Sequence, residues 1–86
     1  MNGVSGYGMP EVMVITPGCF EEAQEALLAV REQKVVVLQA SRLDPDMAQR
    51  AIDFVAGGVS ALDGHAERLD ATTFLFAPAP VNLSHL

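Results

Sequence analysis

Eighty-six residues allow one domain, with a core near the lower limit for independent stability. Half the residues are hydrophobic but only four are Phe and one is Tyr, so the core must be largely aliphatic. A formal charge of −6 argues against a nucleic-acid or anionic-membrane surface, where cationic side chains would have to neutralise phosphates. The single Cys19 forms no internal disulfide and suits a reducing cytoplasm, and one cysteine with two histidines disfavours a structural zinc site. Neither a signal peptide nor an apolar run of the ~20 residues needed to span a bilayer is present. A chain this small and apolar is expected to associate in order to hide its surface.

In chain order, the Gly-rich head MNGVSGYGMP (1–10) reads as a flexible lead-in or linker remnant. EVMVI (Glu11 to Ile15) is a short β-branched run ended by Pro17-Gly18, which predicts a strand and a turn. From Phe20 the period becomes helical: Phe20, Ala23, Ala26, Leu27 and Val30 share a face, and Glu21 and Glu22 favour the positive end of the dipole. Cys19 falls at the N-cap, as a poor cap tolerated by the fold rather than an activated thiol. KVVVLQ (Lys34 to Gln39) is a continuous apolar run, as expected of a strand buried on both faces near the middle of a sheet.

Asp44 as N-cap and Pro45 at the first helical position announce a second helix. Its apolar stripe runs through Met47, Ala48, Ala51, Ile52, Phe54 and Val55, and Gly57-Gly58 is expected to stop it. Three short runs follow, Val59 to Leu62, Ala66 to Leu69 and Thr73 to Ala77, separated by Asp63-Gly64 and Asp70-Ala71. Asp-Gly between such runs predicts a type I′ hairpin at Asp63 and Gly64. The expected architecture is a two-layer α/β sandwich, β-α-β-α-β-β-β, with a mixed five-stranded sheet and two helices. The core domain spans 11–80, and residues 81–86 form a tail.

The stretch FVAGGVSALDGH (Phe54 to His65) invites two chemical readings, and both fail. A phosphate loop needs glycines before a helix N-terminus, whereas Gly57 and Gly58 come after one. Asp63 and His65 lack a nucleophile and an orienting third group in any pocket-forming pattern, even granting Ser60 and Glu67 as candidates. No catalytic residue, metal or cofactor is expected. The last strand matters more: Phe74 and Phe76 alternate with Thr73, Leu75 and Ala77. With both helices on one face, the other carries an apolar set that a second subunit or a peptide must cover.

These residues carry a family resemblance. F-E-E-A-Q at Phe20 to Gln24, V-V-V at Val35 to Val37, L-x-x-x-x-A-x-R-x-I-D-F at Leu43 to Phe54, the glycine pair, A-L-D-G at Ala61 to Gly64 and T-F-L-F-x-P at Thr73 to Pro78 resemble the core of SepF, a bacterial cell-division family. The match covers about residues 11 to 80, in order and with compatible spacing; Cys19 replaces a frequent Ser cap and Ser60 a common aromatic.

The resemblance implies a non-enzymatic, homodimeric adaptor that binds the C-terminal tail peptide of the tubulin-like division protein FtsZ. It also implies a tether at the cytoplasmic face of the membrane, through an N-terminal amphipathic helix and a flexible linker. The head MNGVSGYGMP has neither the length nor the pattern for that helix, so the chain is expected to be the isolated core. By position, Arg68 and Phe74 match family residues implicated in gripping the tail, with Ala48 as a groove wall. Ile52, Phe54, Val55 and Gly58 are the candidates for self-association, as a homodimer or a higher polymer. The alternative from another class is a small-molecule-binding regulatory domain.

Overall fold

The computed structural model describes residues 11–80. The order is β1 (Val12–Ile15), α1 (Phe20–Arg31), β2 (Val35–Gln39), α2 (Pro45–Ala61), β3 (His65–Arg68) and β4 (Thr73–Ala77). The strands form one mixed sheet in the order β1-β2-β4-β3. β1 runs parallel to β2, while β4 lies antiparallel to both its neighbours. The flexible head and the tail expected at 81–86 lie outside the described residues.

Two layers and a mixed sheet are as expected, but there are four strands rather than five. The difference lies at Val59 to Leu62, where the sequence predicts a strand and the chain remains helical through Ala61. Gly57 and Gly58 therefore sit inside α2 and do not stop it. Gly57 is exposed, and a Cβ there would meet nothing within 4 Å. At Gly58 a Cβ would lie 2.5 Å from Leu27 Cδ2, so this glycine serves the close approach of α2 to α1 and not a left-handed turn.

The stop comes at Asp63. Its N–H donates to the Ser60 carbonyl and the Gly64 N–H to that of Val59, the paired bonds of a Schellman motif, with Asp63 at φ 61°. Asp63 thus adopts the positive φ that Asp-Gly demands, but it closes a helix instead of turning a hairpin. Gly64 follows because a Cβ there would meet the Ala77 carbonyl oxygen at 2.5 Å. α1 ends in the same way: Gln33 at φ 70° donates to Val30 and Lys34 to Ala29. Both ends thus place a non-glycine residue in a left-handed conformation, which hides the stop from a search for glycine.

The helix starts follow their caps. Asp44 Oδ1 accepts from the Met47 N–H at 3.0 Å and Pro45 opens α2. Cys19 caps α1 without a side-chain hydrogen bond; Glu22 instead reaches back to accept from the Gly18 N–H at 2.7 Å.

Strand alternation and register put Met13, Val36, Phe76 and Ala66 in one row across the sheet, and Ile15, Leu38, Phe74 and Arg68 in the next. Val36, Leu38 and Phe76 meet Ala26, Val30, Ile52, Val55 and Val59 from the helices in a core that, among the described residues, buries no polar or charged side chain. The opposite face carries Val12, Val14, Val35, Val37, Leu75 and Ala77.

Gly57→Ala is expected to raise stability by about 0.5–1 kcal/mol, the helix-interior cost of glycine. Gly58→Val, one residue on, is expected to lower it by about 1–3 kcal/mol because the side chain must displace Leu27. Urea denaturation of the two variants measures the contrast; equal effects would contradict the assigned helix contact. Cys19→Ser, which supplies the missing cap, is expected to add about 1 kcal/mol, read as a rise of roughly 4–8 °C in Tm.

Candidate functional site

The hairpin of β3 and β4 brings together the two residues that the sequence singles out. Arg68 and Phe74 are direct cross-strand partners on the helix-facing side of the sheet. The Leu69 N–H donates to the Thr73 carbonyl at 2.8 Å, which makes Leu69–Thr73 a hydrogen-bonded pair. By the alternation of an antiparallel ladder, Arg68–Phe74 is then a non-hydrogen-bonded pair, the kind in which side chains lie closest. The guanidinium carbon accordingly sits 5.9 Å from the Phe74 ring centroid. Arg68 Nε also donates to the Asp70 carbonyl at 3.3 Å. Among the described residues the guanidinium has no carboxylate partner, since the ion pair found there is Lys34–Glu32 at 3.4 Å.

Phe74 is half-buried. Its ring stacks on Phe76 with centroids 6.0 Å apart and planes 11° from parallel, and its inner edge packs on the core cluster. Ala48 belongs to that cluster and is buried, so it does not form an open groove wall. All of β3 is exposed, and Leu69, just beyond it, is 54% exposed. An aromatic half-face, a cation held against it and a strand edge unpaired among the described residues thus adjoin one another.

The turn that sets this geometry is tied by Asp70, whose Oδ1 accepts from the Thr72 N–H at 2.9 Å and from Thr72 Oγ1 at 3.5 Å. The Thr72 backbone bond foremost, and then the Thr73 hydroxyl, hold the Asp70 carboxyl below its ordinary value of 3.8.

Two other apolar surfaces stand open. On the sheet face opposite the helices Val12 is 58% and Val14 62% exposed, while Val35 and Ala77 are buried. On the helix layer Phe54 remains 40% exposed beside Phe20, with ring centroids 5.4 Å apart, and Leu28 and Leu62 are exposed as well. Of the residues expected to serve self-association, Ile52 and Val55 face inward within the core and Gly58 packs on Leu27. Phe54 alone of the four presents substantial surface. The helical period leaves Leu28 off the buried stripe of α1, whereas Leu62 falls in the run expected to be a strand and is instead the C-cap of α2.

Comparison with known proteins places this fold. The sequence model of the family described as "Cell division protein SepF" matches residues 12–83. This chain belongs to the SepF family. The Cell division protein SepF of Trichormus variabilis (strain ATCC 29413 / PCC 7937) is 54% identical over 77 residues, covering 90% of this chain and 39% of that protein. That of Trichodesmium erythraeum (strain IMS101) is 51% identical over 88 residues, covering 96% of this chain and 42% of that protein. The chain thus spans about two-fifths of the length of these SepF relatives. Among solved structures, a SepF-like protein from Pyrococcus furiosus shares the fold at a TM-score of 0.76 and 9% identity, over 86% of this chain and 93% of that one. Another, from Archaeoglobus fulgidus, does so at 0.65 and 15%, over 83% and 88%.

Asp70 generates a pH dependence. A carboxyl whose folded pKa is depressed contributes stability that is present above the unfolded value and lost as pH falls through the folded one. An NMR titration is expected to place the Asp70 midpoint below 3.8, and Asp70→Asn to abolish the acid-side loosening of the β3–β4 turn. A midpoint at or above 3.8 would contradict the bonds assigned to it.

Proposed function

We propose that this chain is the core of a non-enzymatic cell-division adaptor, a homodimer that binds the C-terminal tail peptide of FtsZ. In the longer SepF proteins the same core would hold that peptide at the cytoplasmic face of the membrane at the division site. The observation that carries the reading is the Arg68–Phe74 pair: an anchoring ring and a cation with no carboxylate partner among the described residues, side by side on adjacent strands. A short peptide with an apolar residue and a carboxylate is the ligand such a pair suits, because the ring supplies burial and the guanidinium supplies direction.

The sheet face opposite the helices supports the homodimer through its exposed β1 side. Val12, Val14, Val37 and Leu75 lie together there, and a second copy would remove them from water. Phe54 on the helix layer offers a separate contact for higher assembly. The membrane contact belongs to an amphipathic helix in this reading; no helix among the described residues is long and apolar enough to cross a bilayer.

A metabolite-binding regulatory role finds less support. The cleft lined by Val30, Arg31, Gln33, Leu62, Pro78 and Ala79, one of those among the described residues, measures about 180 Å³, below the ~300–1,000 Å³ of ordinary ligand pockets.

Phe74→Ala is expected to weaken binding of a labelled FtsZ tail peptide at least about tenfold in fluorescence anisotropy, while circular dichroism stays native. Unchanged affinity would overturn the site assignment. Light scattering at micromolar concentration is expected to give a dimer mass, and Val14→Asp a monomer. A monomeric parent chain would overturn the homodimer.

A further inference from the structure

The hydrogen bond from Leu69 to Thr73 sets the parity of β3. With Leu69, Glu67 and His65 in the hydrogen-bonded pairs of the β3–β4 ladder, their backbone groups point inward to β4. Those of Ala66 and Arg68 then point outward, along an edge that no strand of the described residues occupies. We infer that the peptide binds by adding an extended strand to this edge, its main chain on the N–H and C=O groups of Ala66 and Arg68.

This rests on the peptide-binding reading of the site and states how the peptide lies. A strand beside β3 places alternate side chains on the helix-facing side, next to Ala66 and Arg68. The small Ala66 leaves room there for an apolar side chain. Two residues along, the Arg68 guanidinium, which lacks a carboxylate partner among the described residues, takes an acidic one. Charge selects this edge over the other. β1 (VMVI) also has a side that no strand of the described residues occupies but offers no cation, whereas a chain of net charge −6 repels an acidic peptide except where a cation such as Arg68 stands forward. The charged residues of β3 also discourage a second copy from pairing edge to edge.

The parity supplies the test. Ala66→Pro removes one outward N–H and leaves the ladder to β4 intact, which an edge strand tolerates. It is expected to weaken the FtsZ tail peptide about tenfold in fluorescence anisotropy, the loss of one interfacial hydrogen bond. Tail peptides N-methylated at one position at a time leave the protein unaltered and are expected to lose affinity at every second position only. A flat profile together with full binding by Ala66→Pro would overturn the added strand while leaving the Phe74 result, and so the site, standing. Loss of peptide binding on Ala66→Pro with a flat N-methyl profile would likewise overturn it, as would a reduced dimer mass for Ala66→Pro without peptide, which would assign the edge to a second copy.

Discussion

Two helices must fit side by side above four strands, and the contact between Leu27 and Gly58 makes the fit possible. Where the helices approach one another and the sheet they use small residues: Ala23, Ala26 and Ala29 on α1, and Ala48 and Ala51 on α2, are all buried. Both helices lie on one face of the sheet, and α2 reaches β3 as well as β4. β3 is nonetheless exposed along its length, which leaves Arg68 and the outer part of Phe74 open beside the helix layer.

The core explains why the site tolerates a charge so near it. No polar or charged side chain is buried among the described residues, so the interior has no hydrogen-bond network to be disturbed. Phe76 is buried while its neighbour two positions back is only half so, and the stacked pair grades from interior to surface within one strand. Arg68 can lie with its guanidinium against the outer ring while its remaining N–H groups face water.

Much of this was legible in the residues. The Asp44-Pro45 start, the buried run of β2, the alternation of Phe74 and Phe76 and the SepF resemblance all correspond to what the structure contains. The error at Val59 to Leu62 has a physical cause: two glycines mimic a helix stop, and Asp-Gly mimics a hairpin. The left-handed backbone at Asp63 was readable, but a Schellman end and a type I′ turn ask the same of one residue. What separates them is Leu27, a partner thirty-one positions from Gly58 that no local pattern reports. Burial hid the same way: Ile52 and Val55 read as apolar helix positions, and which side of α2 they occupy depends on where α1 comes to rest.

The strand order β1-β2-β4-β3 bears on how the chain folds during synthesis. β4, last in sequence, lies between β2 and β3, and its pairing of Phe76 with Val36 joins residues far apart in the chain. Until Ala77 has left the ribosome, β3 has no neighbour on either side and the floor beneath α2 is missing. β1, α1 and β2 can gather earlier as a βαβ unit, but the sheet closes only by late insertion of its C-terminal strand. The hairpin that carries Arg68 and Phe74 is therefore the last part of the domain to form, so a nascent or C-terminally truncated chain that lacks β4 has no Arg68–Phe74 pair.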